Sequence, residues 1–210
     1  MGLIDALFHI RAFAVTASAA GKYQNLNELI AGARAAPGRL TYGSSGSGST
    51  NHLAGEMLAK LSGTRMLQVP YKGFAPALTA LLAGEIDFVV GSASSVLGNV
   101  KAGKMRVLAM AVPRRWSGMA DVPTAAEQGL AGYDMSSWAG LMGPADTPRA
   151  VVDRLNADTQ KVLQVPAIKT TFEELGGEPR GSTPQEMSAL VVSELQRWIQ
   201  VVNDAKIPKL

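Results

Sequence analysis

Cysteine is absent from these 210 residues, which excludes disulfides and thiolate metal sites and is compatible with either a reducing or an oxidising compartment. Histidine is nearly absent. His9 and His52 are the only two, far apart and without an HExxH-type spacing, so neither a zinc site nor any other metal site is expected. No stretch approaches the roughly 18 to 20 apolar residues of a membrane span. Residues 1–20 are apolar and alanine-rich, but Asp5, His9 and Arg11 interrupt them and no basic segment leads into a continuous apolar core, so no normal signal peptide is read there. Charge of one sign is also lacking. The 20 basic and 17 acidic residues leave a net +3 with no basic arm or stripe, which gives nucleic acid little to bind. What remains is an ordinary globular composition, 47% hydrophobic and 18% charged, in a length that buries one substantial core or two small ones.

The most informative segment runs from Leu40 through Tyr42 into Gly43-Ser44-Ser45-Gly46-Ser47-Gly48-Ser49-Thr50-Asn51-His52. A β-branched and aromatic strand there ends in a Gly/Ser loop that opens into a helix. Glycine lets backbone N–H groups converge without Cβ obstruction, and the helix adds unpaired donors and the positive end of its dipole. Ser44, Ser45, Ser47, Ser49 and Thr50 add hydroxyls. Gly43 and Gly48 have the spacing of a phosphate loop, but Ser49 occupies its lysine position. A dinucleotide GxGxxG fails as well, because Gly46-x-Gly48 is followed by Asn51 where the third glycine belongs. A cradle of neutral donors survives, better matched to a carboxylate than to a polyphosphate with Mg²⁺. A flexible turn with a Ser/Thr cap is the alternative, and the loop alone does not choose between them.

Organisation along the chain favours the cradle. A helix is expected from Asn25 to about Ala35, then the strand to Tyr42, a helix from about Thr50 to Leu61, a strand at Arg65 to Val69 and a helix near Pro76. A strand at Ile86 to Val90, a short helix to Ala102 and a strand at Arg106 to Val112 complete an alternation that argues for βαβ units and a largely parallel sheet. Ligands in such sheets sit at the carboxyl ends of strands. Three small or polar loops share that edge: the Gly/Ser loop, Pro70-Tyr71-Lys72-Gly73, and Gly91-Ser92-Ala93-Ser94-Ser95. Beyond it, Arg114 to Val122 reads as a surface loop, Pro123-Thr124 as the start of a short helix ended by Gly129, and Tyr133 to Met142 as an extended segment. The rest is mostly helical. Val151, Val152, Leu155 and Val162 line one helix, a second runs from Ala167 to Leu175, and Thr183-Pro184-Gln185-Glu186 is a capping box that opens a final helix buried through Met187, Leu190, Val191, Trp198 and Val202.

The order of motifs resembles one family, the periplasmic substrate-binding receptors of tripartite tricarboxylate transporters, also called Bordetella uptake gene (Bug) receptors. The matching pieces include Pro37-Gly38-Arg39-Leu40-Thr41-Tyr42, Gly46-Ser47-Gly48-Ser49 with His52-Leu53-Ala54-Gly55-Glu56, and Val69-Pro70-Tyr71-Lys72-Gly73. Gly84-Glu85-Ile86-Asp87, Lys101-Ala102-Gly103-Lys104, Asp121-Val122-Pro123-Thr124, Ser137-Trp138 and Gly181-Ser182-Thr183-Pro184 follow in the same order. The resemblance implies an α/β, type II periplasmic-binding-protein-like clamshell that closes on a small organic carboxylate and delivers it to membrane subunits of a transporter, in the periplasm, without catalysis or cofactor. Its implied contacts are Ser44, Ser45, Gly46, Gly48, Ser49 and Thr50 from the first loop, Tyr71, Lys72 and Gly73 from the second, and Gly91 and Ser92 from the third. Where the family often has an Asp after the third strand, this sequence has Gly91.

A larger departure concerns the first lobe, whose opening strand and Pro/Gly-rich loop find no counterpart before residue 25. The expected organisation is a lead-in and first-lobe remnant at 1–37, a complete α/β ligand lobe at 38–137, and a return strand with C-terminal helices at 138–210. Those helices would lack the sheet they pack against, so self-association or rearrangement of residues 1–20 is expected to cover them. His52 could touch a ligand, though its place in a family motif favours structural hydrogen bonding, and Lys72 is either a ligand partner or a solvated lysine. Trp138 is a cleft wall or core, Asp87 at its strand end is structural rather than catalytic, and Trp116 with Arg114 and Arg115 is an exposed contact for a partner or, by default, a solvated loop. Two other functions stay open: a carboxylate sensor without transport, and a hydrolase using the Gly/Ser loop. The hydrolase lacks a GxSxG and any triad beyond His52 near Ser44 or Ser49.

Overall fold

The computed structural model describes residues 2–10, 13–174 and 177–204. They divide into two compact units, one of residues 2–10, 136–174 and 177–200, the other of residues 13–135 and 201–204.

In the second of these units the alternation of strands and helices is realised as β2 (Phe13–Ser18), α1 (Leu26–Ala35), β3 (Thr41–Ser44), α2 (Thr50–Ser62), β4 (Leu67–Pro70), α3 (Phe74–Ala83), β5 (Phe88–Ser92), α4 (Ala93–Lys101) and β6 (Met105–Met110). Asn25 caps α1 by accepting the Glu28 N–H at 2.9 Å, and Gly63 and Gly84 end α2 and α3 in the left-handed conformation that favours glycine. The five strands form one sheet in the order β4-β3-β5-β2-β6. β3 runs parallel to β4 and β5, whereas β2 runs antiparallel to both β5 and β6. β3, β4, β5 and β6 therefore share one direction, as the sequence implies, and bring their carboxyl ends to one edge.

The strand β2 is an addition to the sequence reading. Phe13, Ala14, Val15, Thr16 and Ala17 are all buried, because a strand inside a sheet covered on both faces has no polar side to alternate with. Neighbouring residues of β3 show the two covers. Gly55 of α2 lies so close to the Tyr42 ring that a Cβ there would overlap it, while a Cβ on Gly43 would fall 3.1 Å from Ala77 of α3. Successive strand residues point to opposite faces, so α2 and α3 cover opposite faces of the sheet.

Three expectations are corrected in this unit. The strand expected at Ile86 starts at Phe88, because Asp87 is drawn off to lock β3: its carboxylate accepts the Thr41 N–H at 2.8 Å and hydroxyl at 2.9 Å. Asp87 is thus structural. Pro123 to Gly129 forms turns rather than a helix, bracketed by backbone hydrogen bonds from Met110 N–H to the Pro123 carbonyl at 2.9 Å and from Ala125 N–H to the Met110 carbonyl at 2.8 Å. Trp116 is not solvated but only 9% exposed, with Gly118 of a short 3₁₀ turn (Ser117–Met119) against its indole; Arg115 beside it pairs with Glu127 at 3.0 Å.

The other unit holds a three-stranded antiparallel sheet in the order β7-β1-β8, from β1 (Gly2–Ile10), β7 (Ser137–Gly143) and β8 (Gly177–Glu178), with α5 (Arg149–Leu163), α6 (Pro166–Glu174) and α7 (Pro184–Asp204). β1 is a second strand before residue 25, and it corrects the expectation that the C-terminal helices lack a sheet: paired with β7, it gives α5 a sheet to pack on. The capping box of α7 is present as expected. The Thr183 hydroxyl accepts the Glu186 N–H at 3.1 Å, and the Glu186 carboxylate accepts the Thr183 N–H at 2.8 Å. Burial along α7 is weaker than expected. Met187 is fully buried and Leu190, Val191, Trp198 and Val202 are only half-buried, while Val192, Leu195 and Ile199 are at least half exposed. Likewise Val152 of α5 is buried, but Val151, Leu155 and Val162 are exposed. Residues 175 and 205–210 lie outside the described residues, including the end of the helix expected to reach Leu175.

Candidate functional site

Three loops converge at the carboxyl edge of β3, β4 and β5. Each continues from a strand directly into a helix, so the edge collects the N-termini of α2, α3 and α4 and with them the positive ends of three helix dipoles. Hydrogen bonds hold the loops to one another. The Tyr71 N–H donates to the Ser44 carbonyl at 2.9 Å, joining the second loop to the first, and the Asn51 amide donates to the Val90 carbonyl at 2.6 Å, joining α2 to the end of β5.

The first loop is built by its own polar groups, and this decides which of them face outward unspent. The buried Ser44 hydroxyl accepts from the Gln68 amide at 2.7 Å and from the Gly46 N–H at 3.3 Å. Ser49 N–H and hydroxyl both donate to the Gly46 carbonyl, at 3.3 and 2.7 Å, and the same hydroxyl caps α2 by accepting the His52 N–H. Gly48 N–H donates to Nδ1 of His52 at 3.0 Å. The path requires φ of +120° at Gly46 and +75° at Gly48, where only glycine is unstrained. Among the described residues nothing accepts from the backbone N–H groups of Ser45, Ser47, Thr50 and Asn51, or from the Thr50 hydroxyl. Ser47 and Thr50 are exposed.

The second and third loops add donors of the same kind. Neither α3 nor α4 has a side-chain cap: Gly73 precedes α3, and the Ser92 hydroxyl before α4 pairs with that of Ser94 at 2.7 Å instead. Their first-turn N–H groups are therefore left to whatever sits at the edge. Tyr71 is half-buried and Lys72 is exposed beside them, the one cation of the expected set. Gly91 is buried, and the Phe74 ring occupies the space in which its Cβ would project. A carboxylate side chain at this position would have to displace the Phe74 ring. An aromatic edge stands there in its place, a neighbour that spacing along the chain does not reveal because Phe74 opens a different element, α3.

Behind the first loop lies a buried polar group. His52 is 7% exposed and its ring stacks on Tyr42 with centroids 6.5 Å apart. Glu56 accepts the Tyr42 hydroxyl at 2.6 Å and stands 3.8 Å from Nε2 of His52. Burial holds the imidazole below its ordinary titration range, partly offset by Glu56, and burial together with Glu56 pushes the Tyr42 phenol up. No group of three or more His, Asp or Glu among the described residues is arranged to hold a metal ion. In the other unit, Trp138 is half-buried and lines a largely apolar hollow of about 370 Å³ with Val191, Glu194, Leu195 and Trp198.

Comparison with known proteins gives this edge a context. The model of a family described as the tripartite tricarboxylate transporter family receptor matches residues 6–207. The UPF0065 protein in the tcbD-tcbE intergenic region of Pseudomonas sp. (strain P51) is 34% identical over 187 residues, 89% of this chain and 56% of the relative. Protein BugT of Bordetella pertussis is 31% identical over 183 residues, 87% of this chain and 56% of the relative. This chain thus spans little more than half the length of these curated relatives. Among solved structures, an R. palustris protein with adipate is 31% identical with a TM-score of 0.88, covering 100% of this chain and 70% of that one. The periplasmic binding protein BugD is 26% identical with a TM-score of 0.85, again over 100% and 70% of the two chains. MatC of Rhodopseudomonas palustris with bound malate is 27% identical with a TM-score of 0.81, covering 96% and 69%. The α/β fold of this chain is that of the periplasmic-binding-protein class.

Proposed function

The chain belongs to the tripartite tricarboxylate transporter receptor family, and we propose that it is an extracytoplasmic solute-binding receptor holding a small organic carboxylate at the edge formed by the Gly/Ser loop and the N-termini of α2, α3 and α4. The observation that carries the reading is the set of unspent donors at Ser45, Ser47, Thr50 and Asn51, joined by two helix N-termini without side-chain caps. A carboxylate oxygen accepts several such bonds at once, and neutral donors release it again without a bound cation to displace. Within the expected set, Ser45 and Thr50 supply N–H groups directly. Ser44, Gly46, Gly48 and Ser49 shape the loop, and Tyr71, Lys72, Gly73 and Ser92 frame it, while Gly91 makes way for Phe74. That ring puts an apolar wall where a polar anchor would stand, which favours a carboxylate carrying an aliphatic or aromatic body.

The residues expected as the ligand lobe, 38–137, act with β2 as the ligand-holding part, and the return strand and C-terminal helices of 138–210 belong to the other lobe. The adipate and malate in two neighbouring structures mark the ligand class to be tested. Delivery to transporter membrane subunits, a periplasmic location and the absence of catalysis follow from the same reading, as does self-association through the exposed apolar residues of α5 and α7. The variant Thr50→Pro tests the site cleanly. Residue 50 is the first of α2, where proline is favoured, and Ser49 before it already has the extended ψ of 158° that proline requires. The substitution deletes one free N–H and one hydroxyl. Titration calorimetry with a panel of dicarboxylates is expected to show affinity weakened about tenfold or more, as for a lost hydrogen bond to a charged group. Unchanged affinity would remove the loop from the site.

A further inference from the structure

We propose that His52 is the positioning residue of the anion cradle: its neutral ring, by accepting the Gly48 N–H at Nδ1, sets the direction of the free N–H groups on either side, so that anion binding weakens when the ring takes up a proton. This rests on the carboxylate reading above.

The geometry is local. His52 is the third residue of α2, its own N–H turns back to the Ser49 hydroxyl at 3.3 Å, and its ring lies buried beneath the loop, 3.0 Å from Gly48 N. A backbone amide only donates, so Nδ1 carries the lone pair and the neutral ring has its proton on Nε2. Nε2 faces Glu56 of the same helix at 3.8 Å. Tyr42 of β3 stacks on the ring, and the Tyr133 hydroxyl donates to the Ala54 carbonyl of the same helix at 3.0 Å. Burial keeps both phenols neutral. Glu56 is thus the charged group of this set, and its pull toward the protonated ring is weaker than the opposing effect of burial.

The cradle depends on this bond because Gly48 lies between Ser47 and Thr50, whose N–H groups are free, and has a φ of +75° that no side chain of its own enforces. Protonation places an N–H on Nδ1 against the Gly48 N–H, two donors with no acceptor between them. The tether breaks and the loop loses its fixed orientation. A direct ionic role makes the opposite forecast: an imidazolium that attracted the anion would strengthen binding on acidification. The sign of the pH dependence therefore separates positioning from contact.

Two measurements on the full chain test the proposal. In the free ¹⁵N-labelled protein near neutral pH, a through-hydrogen-bond coupling between Gly48 N and His52 Nδ1 and an Nε2–H tautomer are expected, both disappearing at acidic pH. An Nδ1–H tautomer, or a Gly48 amide indifferent to His52 protonation, overturns the proposal without reference to any ligand. Calorimetry with adipate as probe then compares the native chain with His52→Asn, whose side-chain oxygen takes the place of Nδ1 but does not titrate, and with His52→Gln, whose amide reaches toward the Nε2 position instead. His52→Asn should bind adipate with a flatter pH profile than the native chain, the protonation of adipate being common to both. His52→Gln should bind about three- to tenfold more weakly at neutral pH, the worth of one hydrogen bond. Equal pH profiles for the native chain and His52→Asn, or stronger native binding on acidification, contradict the role of His52. Failure of every variant to bind adipate counts against adipate as ligand, and the tautomer and coupling still decide for or against His52.

Discussion

The unit of residues 13–135 buries its sheet on both faces, whereas in the unit of residues 136–200 the helices α5 and α7 leave Val151, Leu155, Val162, Val192, Leu195 and Ile199 exposed. In the first, Tyr42, Leu58, Leu81, Phe88, Val89 and Met110 are inaccessible to solvent; in the second, the described buried apolar residues are Val152, Leu163 and Met187. Both units carry amphipathic helices in sequence. An apolar stripe states which face of a helix is to be covered and says nothing of what covers it. The candidate site lies wholly in the unit that completes its own core, so its geometry draws on packing that these residues supply themselves.

The largest expected contrast is between a core residue of one unit and a surface residue of the other. Leu58→Ala, from a site with no exposure, should cost about 3 kcal/mol, whereas Leu195→Ala, from a site 59% exposed, should stay within about 0.5 kcal/mol. Urea midpoints at constant m-value measure both, and a large cost at Leu195 would show that its face is covered in solution. A second pair uses glycine. Gly55→Ala drives a Cβ into the Tyr42 ring and should cost about 1 to 3 kcal/mol, while Gly98→Ala in α4 meets open space and should stabilise by roughly 0.5 to 1 kcal/mol. Equal effects would mean that α2 does not press on β3. The smallest effect belongs to the other unit, where Thr183→Ala removes the capping box of α7 and should cost about 1 kcal/mol, read as reduced helicity in thermal unfolding by circular dichroism.

Local features were legible in the sequence and non-local ones were not. The Asn25 cap of α1 and the Thr183-Glu186 box are complete within four residues, and both stand where the sequence places them. The strands β3 to β6 announced themselves as short apolar runs between Gly-rich turns. β2 did not, because burial on both faces removed the alternation by which strands are read and its alanines look equally helical. Trp116 stands in a segment that reads as a solvated loop, while the fold turns the indole inward against Gly118. At the site, the convergence of three loops followed from strand direction alone. Which amides remain free depends on partners such as Gln68 for Ser44 and Val90 for Asn51, and the filling of the Gly91 position depends on Phe74. Such partners come from other strands and loops, where spacing along the chain carries no information.

The central claim is that a carboxylate binds at the carboxyl edge of β3, β4 and β5, and amide chemical-shift mapping during titration with adipate and malate tests it most directly. The expected result is saturable shifts concentrated at Ser45, Ser47, Thr50 and Asn51 and at the first turns of α3 and α4. Shifts absent for every carboxylate tried, or concentrated instead at the opposite edge around Ser18, Lys22 and Asp87, would contradict it.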